Sequence, residues 1–243
     1  MTDVLVAGAS RGIGRSVALA FARDGAERVI VLGRTEADLE RVAAEVRALG
    51  AAAEAIVTDV TQTPATAAAV ATAGTVDVLV YAAGTNVPQP FVDVDEETYD
   101  RLFDLNVRSG FFLAQHVARA MAADRRRGAI VFISSQMGHV GAPLRTVYCA
   151  TKHAVEGLVK ALAVELAPEG IRVVSVAPTF VRTALTAVQL DDPAVGAELL
   201  RQIPLGRLAD PDDVAAAVVW AASPAAAMVT GTSIVVDGGW TAY

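Results

Sequence analysis

One cysteine, Cys149, stands in 243 residues, and a lone thiol makes neither an intramolecular disulfide nor a cysteine metal cluster. That usage suits a reducing compartment, and a cytoplasmic location is expected. Histidine is nearly as scarce, at three residues, and His116 and His153 fall in predicted helices with no second ligand at a metal spacing. No metal is expected. Basic residues are outnumbered, 20 Lys and Arg against 27 Asp and Glu, for a net charge of −7. Nucleic acid requires a positive field that this chain lacks, so no nucleic-acid partner is expected. Aromatics are 5% of the chain against 53% hydrophobic residues, so Ala and Val must fill the interior, as they do where helices pack closely on a parallel sheet.

Long apolar runs are also missing. The most apolar late stretch, 214–236, is interrupted by Ser223, Pro224, Thr230 and Gly231, and reads as helix, loop and buried strand rather than a membrane span. The opening MTDVLVAGAS has no basic stretch ahead of an apolar core, so no secretion signal is expected. No Pro-rich, Ser/Gly-rich or charge-blocked segment reads as a linker. One domain spanning 1–243 is expected, large enough to bury a core without staples.

What is present is a rhythm. Asp3 to Ala7 is a short apolar run ending in a glycine turn, and Gly12 to Arg23 has helical spacing. The pattern returns at 28–32 with 36–49, at 53–57 with the segment after Thr61, and at 76–81 before another glycine turn. A long helix is expected over 96–125, then a strand at 129–134, a helix at 147–167, a strand at 171–176, a helix at 213–222 and a strand at 233–236. Asp210 and Pro211 suit the first turn of that last helix. The longest irregular region is expected at about 179–206. Alternating strands and helices imply α/β architecture, a doubly wound Rossmann-type parallel sheet of about seven strands with helices on both faces and the ligand across the carboxyl ends of the strands.

The first turn reads Gly8-Ala9-Ser10-Arg11-Gly12-Ile13-Gly14. Glycines let the backbone turn tightly and approach a pyrophosphate, while the following helix offers free N–H groups and the positive end of its dipole. A plain glycine-rich turn is the alternative; the strand-to-helix position favours the dinucleotide. Tyr148 and Lys152 lie four apart on a predicted helix and so share a face. Ser134-Ser135 ends a strand, with Ser135 thirteen residues before the tyrosine, and Asn106 sits in the long preceding helix. A tyrosine used as a base near neutrality needs its anion stabilised, which a Lys152 cation can supply.

Asn106, Ser135, Tyr148 and Lys152 resemble the catalytic tetrad of the short-chain dehydrogenase/reductase family. The resemblance runs from the first glycine turn to Asp237-Gly238-Gly239. Tyr81-Ala82-Ala83-Gly84 is similar to the family's Asn-Asn-Ala-Gly turn, Ala177-Pro178 to its Pro-Gly, and Ile203-Pro204-Leu205-Gly206-Arg207 to a common late segment. Ala7, Tyr81-Ala82 and Thr179 depart from the family's Thr, two Asn and Gly. The resemblance implies hydride exchange between nicotinamide and a secondary alcohol or ketone, with Tyr148 exchanging the proton. Lys152 would also bind the nicotinamide ribose, Ser135 the substrate oxygen, and Asn106 a water in a proton relay. Asp59 and Val60 would line the adenine pocket, with Ala83 and Gly84 beside the dinucleotide and Pro178, Val181 and Thr183 near the nicotinamide. For Asp59 the alternative is a helix cap, a role Thr61 can also fill. For Val181 it is a plain loop.

The cofactor expected is NADP(H), with NAD(H) as the alternative. Where NAD-specific members place an acid, this chain has Gly33 followed by Arg34, and Arg11 in the glycine turn can approach the same 2′-phosphate. The competing account leaves both arginines in water. Between Ser135 and Tyr148, the side chains of Gln136, His139 and Leu144 are candidate substrate contacts, with loop packing as the alternative. Polar ones turned inward would suit a sugar or polyol. Arg125-Arg126-Arg127 reads as a solvated helix end, against docking of an acidic carrier protein. Expected partners are a small alcohol or ketone and further copies of the chain in a homotetramer, with no membrane. The rival readings are a 3-oxoacyl carrier-protein reductase and a dinucleotide-binding sensor without turnover.

Overall fold

The computed structural model describes residues 2–183, 186 and 193–242. Seven apolar runs form β1 (Asp3–Ala7), β2 (Arg28–Gly33), β3 (Ala52–Val57), β4 (Val78–Tyr81), β5 (Gly128–Ile133), β6 (Ile171–Pro178) and β7 (Ser233–Val236). They pair in parallel in the order β3-β2-β1-β4-β5-β6-β7. Parallel neighbours require crossovers. Helices α1 (Gly12–Arg23), α2 (Glu36–Ala48), α3 (Thr63–Ala73), α4 (Glu96–Phe103), α5 (Ser109–Ala123), α6 (Thr146–Leu166), α7 (Pro193–Arg201) and α8 (Pro211–Ala222) lie along these connections.

Strand alternation sorts the core into two layers. Val4, Val6, Val29, Val31 and Val80 face α1, α2 and α8, meeting Val17, Phe21, Leu39, Val42, Val214 and Val218. Leu5, Ile30, Leu32, Leu79 and Phe132 face the other way, onto Val70 of α3, Leu113 and Met121 of α5, and Val155 and Val159 of α6. Each such aliphatic side chain removed from water stabilises the fold by about 1.5–3 kcal/mol. Because both faces are covered, β1 and β2 read as unbroken apolar runs.

Four expectations need correction. The helix expected over 96–125 is two helices joined by a π turn at Asp104–Arg108. The region expected to be irregular contains α7, whose first residue is Pro193, where the missing N–H costs nothing, and which tolerates Gly196. Residues 184, 185 and 187–192 of that region lie outside the described residues. Neither Asp59 nor Thr61 caps α3: Asp59 Oδ1 accepts from Thr61 N (3.0 Å) and Thr61 Oγ1 (2.8 Å), and the helix starts after Gln62. Finally, Arg125 sits past the end of α5 in the left-handed region (φ 52°), and Arg126 is tied to Asp77 at 2.9 Å rather than simply solvated. By contrast, α8 has Asp210 and Pro211 at its start as expected, and Asp213 Oδ2 accepts from Asp210 N (2.8 Å). Among the described residues no helix is long and apolar enough to cross a membrane, and no cluster of three His, Cys, Asp or Glu is placed to hold a metal.

Candidate active site

Winding reverses between β1 and β4, whose carboxyl ends therefore part to leave a crevice. The cleft there, about 270 Å³, is lined by Gly8, Ser10, Arg11, Gly12, Ile13 and Gly14 after β1. Arg34 after β2, Asp59 and Val60 after β3, Ala83 and Gly84 after β4, and Thr183 after β6 complete its walls. Its floor admits no side chain. Gly8 has φ +81°, and a Cβ there would lie 2.7 Å from Ala83 N; a Cβ on Gly14 would collide with the Gly8 carbonyl. No side chain caps the start of α1, so its first N–H groups are left for a ligand. Backbone so closely stripped, at a helix N-terminus and a switch point, fits a dinucleotide pyrophosphate. Arg11 and Arg34 are exposed at the rim, with no ion pair among the described residues. The side chains of Pro178 and Val181 are not among those lining the cleft. Pro178 is buried and ends β6 opposite Val236, while Val181 is packed in the core and bridges Ala209.

Asn106 is 1% exposed in the π turn. Its amide is fully engaged: Oδ1 accepts from Thr85 N (2.9 Å), and Nδ2 donates to Thr85 O (2.9 Å) and Thr151 Oγ1 (3.1 Å). It thus joins the loop after β4 to α6. The turn has its own support, which sequence reasoning missed. Ser109 N reaches back to Asp104 O, five residues away, which leaves the Leu105 carbonyl without its α-helical partner. Two hydroxyls compensate, Ser109 Oγ at 2.8 Å and Tyr81 Oη at 2.6 Å. Tyr81, a departure from the family's turn, therefore has a structural task at the buried end of β4.

Ser135 follows β5, and its Oγ accepts from Met137 N (3.2 Å), leaving the hydroxyl proton free to donate. Tyr148 lies in the first turn of α6. Burial pushes its phenol above the usual tyrosine range, with the Ser135 hydroxyl pulling down, Cys149 up and Arg145 down by lesser amounts. Lys152, 5% exposed, donates from Nζ to the Ile133 carbonyl (2.9 Å) and lies 5.6 Å from the centre of the Tyr148 ring. Burial lowers it to about 8, against an opposing pull from Glu156. Burial is the largest influence on the phenol in this structure, and the Lys152 ammonium lies over its ring.

Beside these residues is a small cavity of about 120 Å³ lined by Ser135, Gln136 and Tyr148 together with Asn86, Arg145 and Thr179. Gln136 Oε1, Asn86 Oδ1, Thr179 Oγ1 and Arg145 Nε are all buried without a partner. Thr179, where the family has Gly, keeps the backbone in register by donating from its N–H to Val236 O (3.1 Å) and is part of the cavity wall. Of the expected substrate contacts, His139 and Leu144 are not in this wall. His139 Nε2 bonds Ser233 Oγ at 2.9 Å and lies 3.6 Å from Glu156, away from the cavity. Leu144 is 50% exposed, in the left-handed region at φ 60°. Asn86, Arg145 and Thr179 were not anticipated; only the proximity of Arg145 to Tyr148 in sequence hints at it.

Residues 8–241 match a family model described as enoyl-(acyl carrier protein) reductase. The chain is 42% identical over 236 residues to the D-erythrulose reductase of Gallus gallus, covering 97% of this chain and 94% of that protein. It is 39% identical over 238 residues to the L-xylulose reductase of Bos taurus, covering 98% and 96%. A solved structure from Beutenbergia cavernae, described as a putative NAD(P)-dependent gluconate 5-dehydrogenase with bound NADP, superposes with a TM-score of 0.95 at 38% identity, covering 100% and 97%. With this likeness over nearly the whole chain, a stripped dinucleotide cleft and a buried Ser-Tyr-Lys group beside it, the chain belongs to the short-chain dehydrogenase/reductase family and is an NAD(P)-dependent oxidoreductase of alcohol and carbonyl groups.

Proposed function

We propose that the protein is an NADP(H)-dependent reductase of small polyhydroxylated ketones, with Ser135, Tyr148 and Lys152 as its catalytic residues and Asn106 as a positioning residue. The observation that carries this reading is the cavity itself, lined by Ser135 and Tyr148 together with Asn86, Gln136 and Thr179, each of the last three having a buried side-chain polar atom without a partner. Buried polar atoms without partners are costly, and a ligand rich in hydroxyls satisfies them. The D-erythrulose and L-xylulose named for the relatives are ligands of that kind.

When bound, NADP(H) supplies the hydride exchanged with the substrate carbon. Ser135 gives the carbonyl oxygen a hydrogen bond from its hydroxyl and so orients it. Tyr148, protonated near neutrality, transfers its phenolic proton to the same oxygen as the alcohol forms. Lys152, anchored on Ile133, holds its ammonium over the phenol ring. Asn106 has no hydrogen left to give to a relay; its amide fixes Thr85 and Thr151. Arg11 and Arg34 at the rim, with Gly33 in place of an acid, support recognition of a 2′-phosphate. Spectrophotometric assay of NADPH and NADH oxidation with a ketose panel tests the reading. Turnover of several ketoses with NADPH preferred is expected; cofactor binding without turnover of any carbonyl would favour the sensor instead.

A homotetramer in the cytoplasm completes the proposal. Val164 on α6 is 79% exposed and Val235 on the edge strand β7 is 41% exposed, apolar surface suited to a second copy. Light scattering that shows a monomer at micromolar concentration would dispose of the tetramer.

A further inference from the structure

Arg172, half-buried, and Arg145, buried, are provided for differently. Arg172 crosses the carboxyl end of α8 and donates to four carbonyls, those of Ala221, Ala222, Ser223 and Val229. Arg145 is 8% exposed and has almost nothing. Its one hydrogen bond is a 3.4 Å contact from Nη1 to the carbonyl of the adjacent Leu144, and its Nε is buried without a partner. No carboxylate among the described residues pairs with it, whereas Arg15, Arg28, Arg126 and Arg207 each hold an Asp or Glu. A guanidinium taken out of water is costly unless something anionic or strongly accepting meets it.

The place of Arg145 shows where that partner enters. It lines the same cavity as Ser135 and Tyr148 and precedes Tyr148 by three residues, just before the first turn of α6. It also occupies the cap position of α6 without any side-chain acceptor for the first turn, so the positive end of the helix dipole adds to its charge. We infer that the substrate is a hydroxylated keto acid whose carboxylate is bound by Arg145 while its carbonyl meets Ser135 and Tyr148. This inference rests on the reading of that cavity as the substrate site. A carboxylate fits better than a phosphate because Arg145 is the only cation lining the cavity among its described residues, and a planar fork matches a planar monoanion. The orphan acceptors of Asn86 and Gln136 and the Thr179 hydroxyl are left for the hydroxyl groups of the same molecule.

The test compares hexulosonates, 5-ketogluconate among them, with neutral hexuloses of equal chain length, using NADPH and purified full-length enzyme. The wild type is expected to favour the acids by about tenfold to hundredfold in kcat/KM, the worth of a charge-assisted contact, mainly through KM. In Arg145→Gln the ratio collapses toward parity, and Arg145→Lys keeps part of it because charge is retained without the fork. Calorimetric titration of NADP⁺-saturated protein gives a second readout: gluconate binds more tightly than sorbitol to the wild type, and that difference disappears in Arg145→Gln. The wild-type ratio and the gluconate titration stand even if a variant fails to fold. Neutral hexuloses used as well as the acids, or an unchanged ratio in a folded Arg145→Gln, would overturn the carboxylate while leaving the ketone reductase intact. No turnover of either set by NADPH-binding enzyme would overturn both.

Discussion

Replacing Lys152 by methionine is expected to stabilise the cofactor-free fold at neutral pH while abolishing turnover. Burial brings this lysine from 10.5 down to about 8. At about 1.4 kcal/mol per pH unit, that gap places about 3 kcal/mol against folding wherever both the folded and unfolded chains carry the charge, which is below pH 8. Between pH 8 and 10.5 the folded chain has released the proton and the unfolded chain still holds it, so the penalty drains away as pH rises through that window. Methionine fills a similar volume and has no charge to desolvate at any pH. Losing the bond from Nζ to Ile133 O returns about 1 kcal/mol, leaving a net gain of about 2 kcal/mol at pH 7. For a chain of this length that is about 4–8 °C in Tm. Thermal and urea unfolding of both proteins at several pH values between 7 and 10 would measure it, the difference between them isolating this residue from other titrating groups. A variant less stable than the wild type at pH 7, or a difference flat across that range, would refute the reasoning.

Tyr148→Phe is expected to lose about a hundredfold to ten-thousandfold in kcat with Tm and NADPH affinity unchanged, since only the proton donor is removed; near wild-type turnover would contradict the assignment. Arg34→Ala is expected to raise the KM for NADPH about tenfold or more and leave NADH nearly unaffected, and equal weakening of both cofactors would remove the phosphate contact. Tyr81→Phe takes one of two hydroxyls from the Leu105 carbonyl and is expected to destabilise the fold by about 1 kcal/mol and to slow turnover through Asn106. Unaltered stability and rate would show that Ser109 alone suffices there.

The parallel sheet covered by helices on both faces was legible because parallel strands buried on two faces leave uninterrupted apolar runs such as Val4–Ala7 and Val29–Leu32. The stripped turn at Gly8–Gly14 was legible because only glycine permits the approach to Ala83 and Gly8 that the fold imposes. What escaped depends on contacts between distant segments. Asp104–Arg108 has ordinary helical composition, and its π turn becomes evident only when Tyr81, 24 residues before Leu105, is seen on that carbonyl. Asn86 and Arg145 meet because the loops after β4 and β5 cover neighbouring strands, a juxtaposition that linear spacing does not encode. His139 lies only a few residues beyond Ser135, yet Ser233 and Glu156 draw it elsewhere. Proximity along the chain proved a poor guide in loops and a good one within the helix that contains Tyr148 and Lys152.

The π turn has a consequence for how this chain can vary in length. An α-helix advances about 100° per residue, so the one surplus residue at Asp104–Arg108 sets α4 and α5 about 100° out of phase with a continuous spiral. Removing any single residue there would restore the spiral and swing Thr98 and Leu102 of α4 out of the interior and into solvent. Adding one would rotate them by a similar angle in the opposite sense. The segment therefore behaves as a spacer of fixed count, open to exchange of side chains at Val107 or Arg108 but closed to insertion and deletion, although it lies on a helical stretch where length changes would ordinarily only shift a surface.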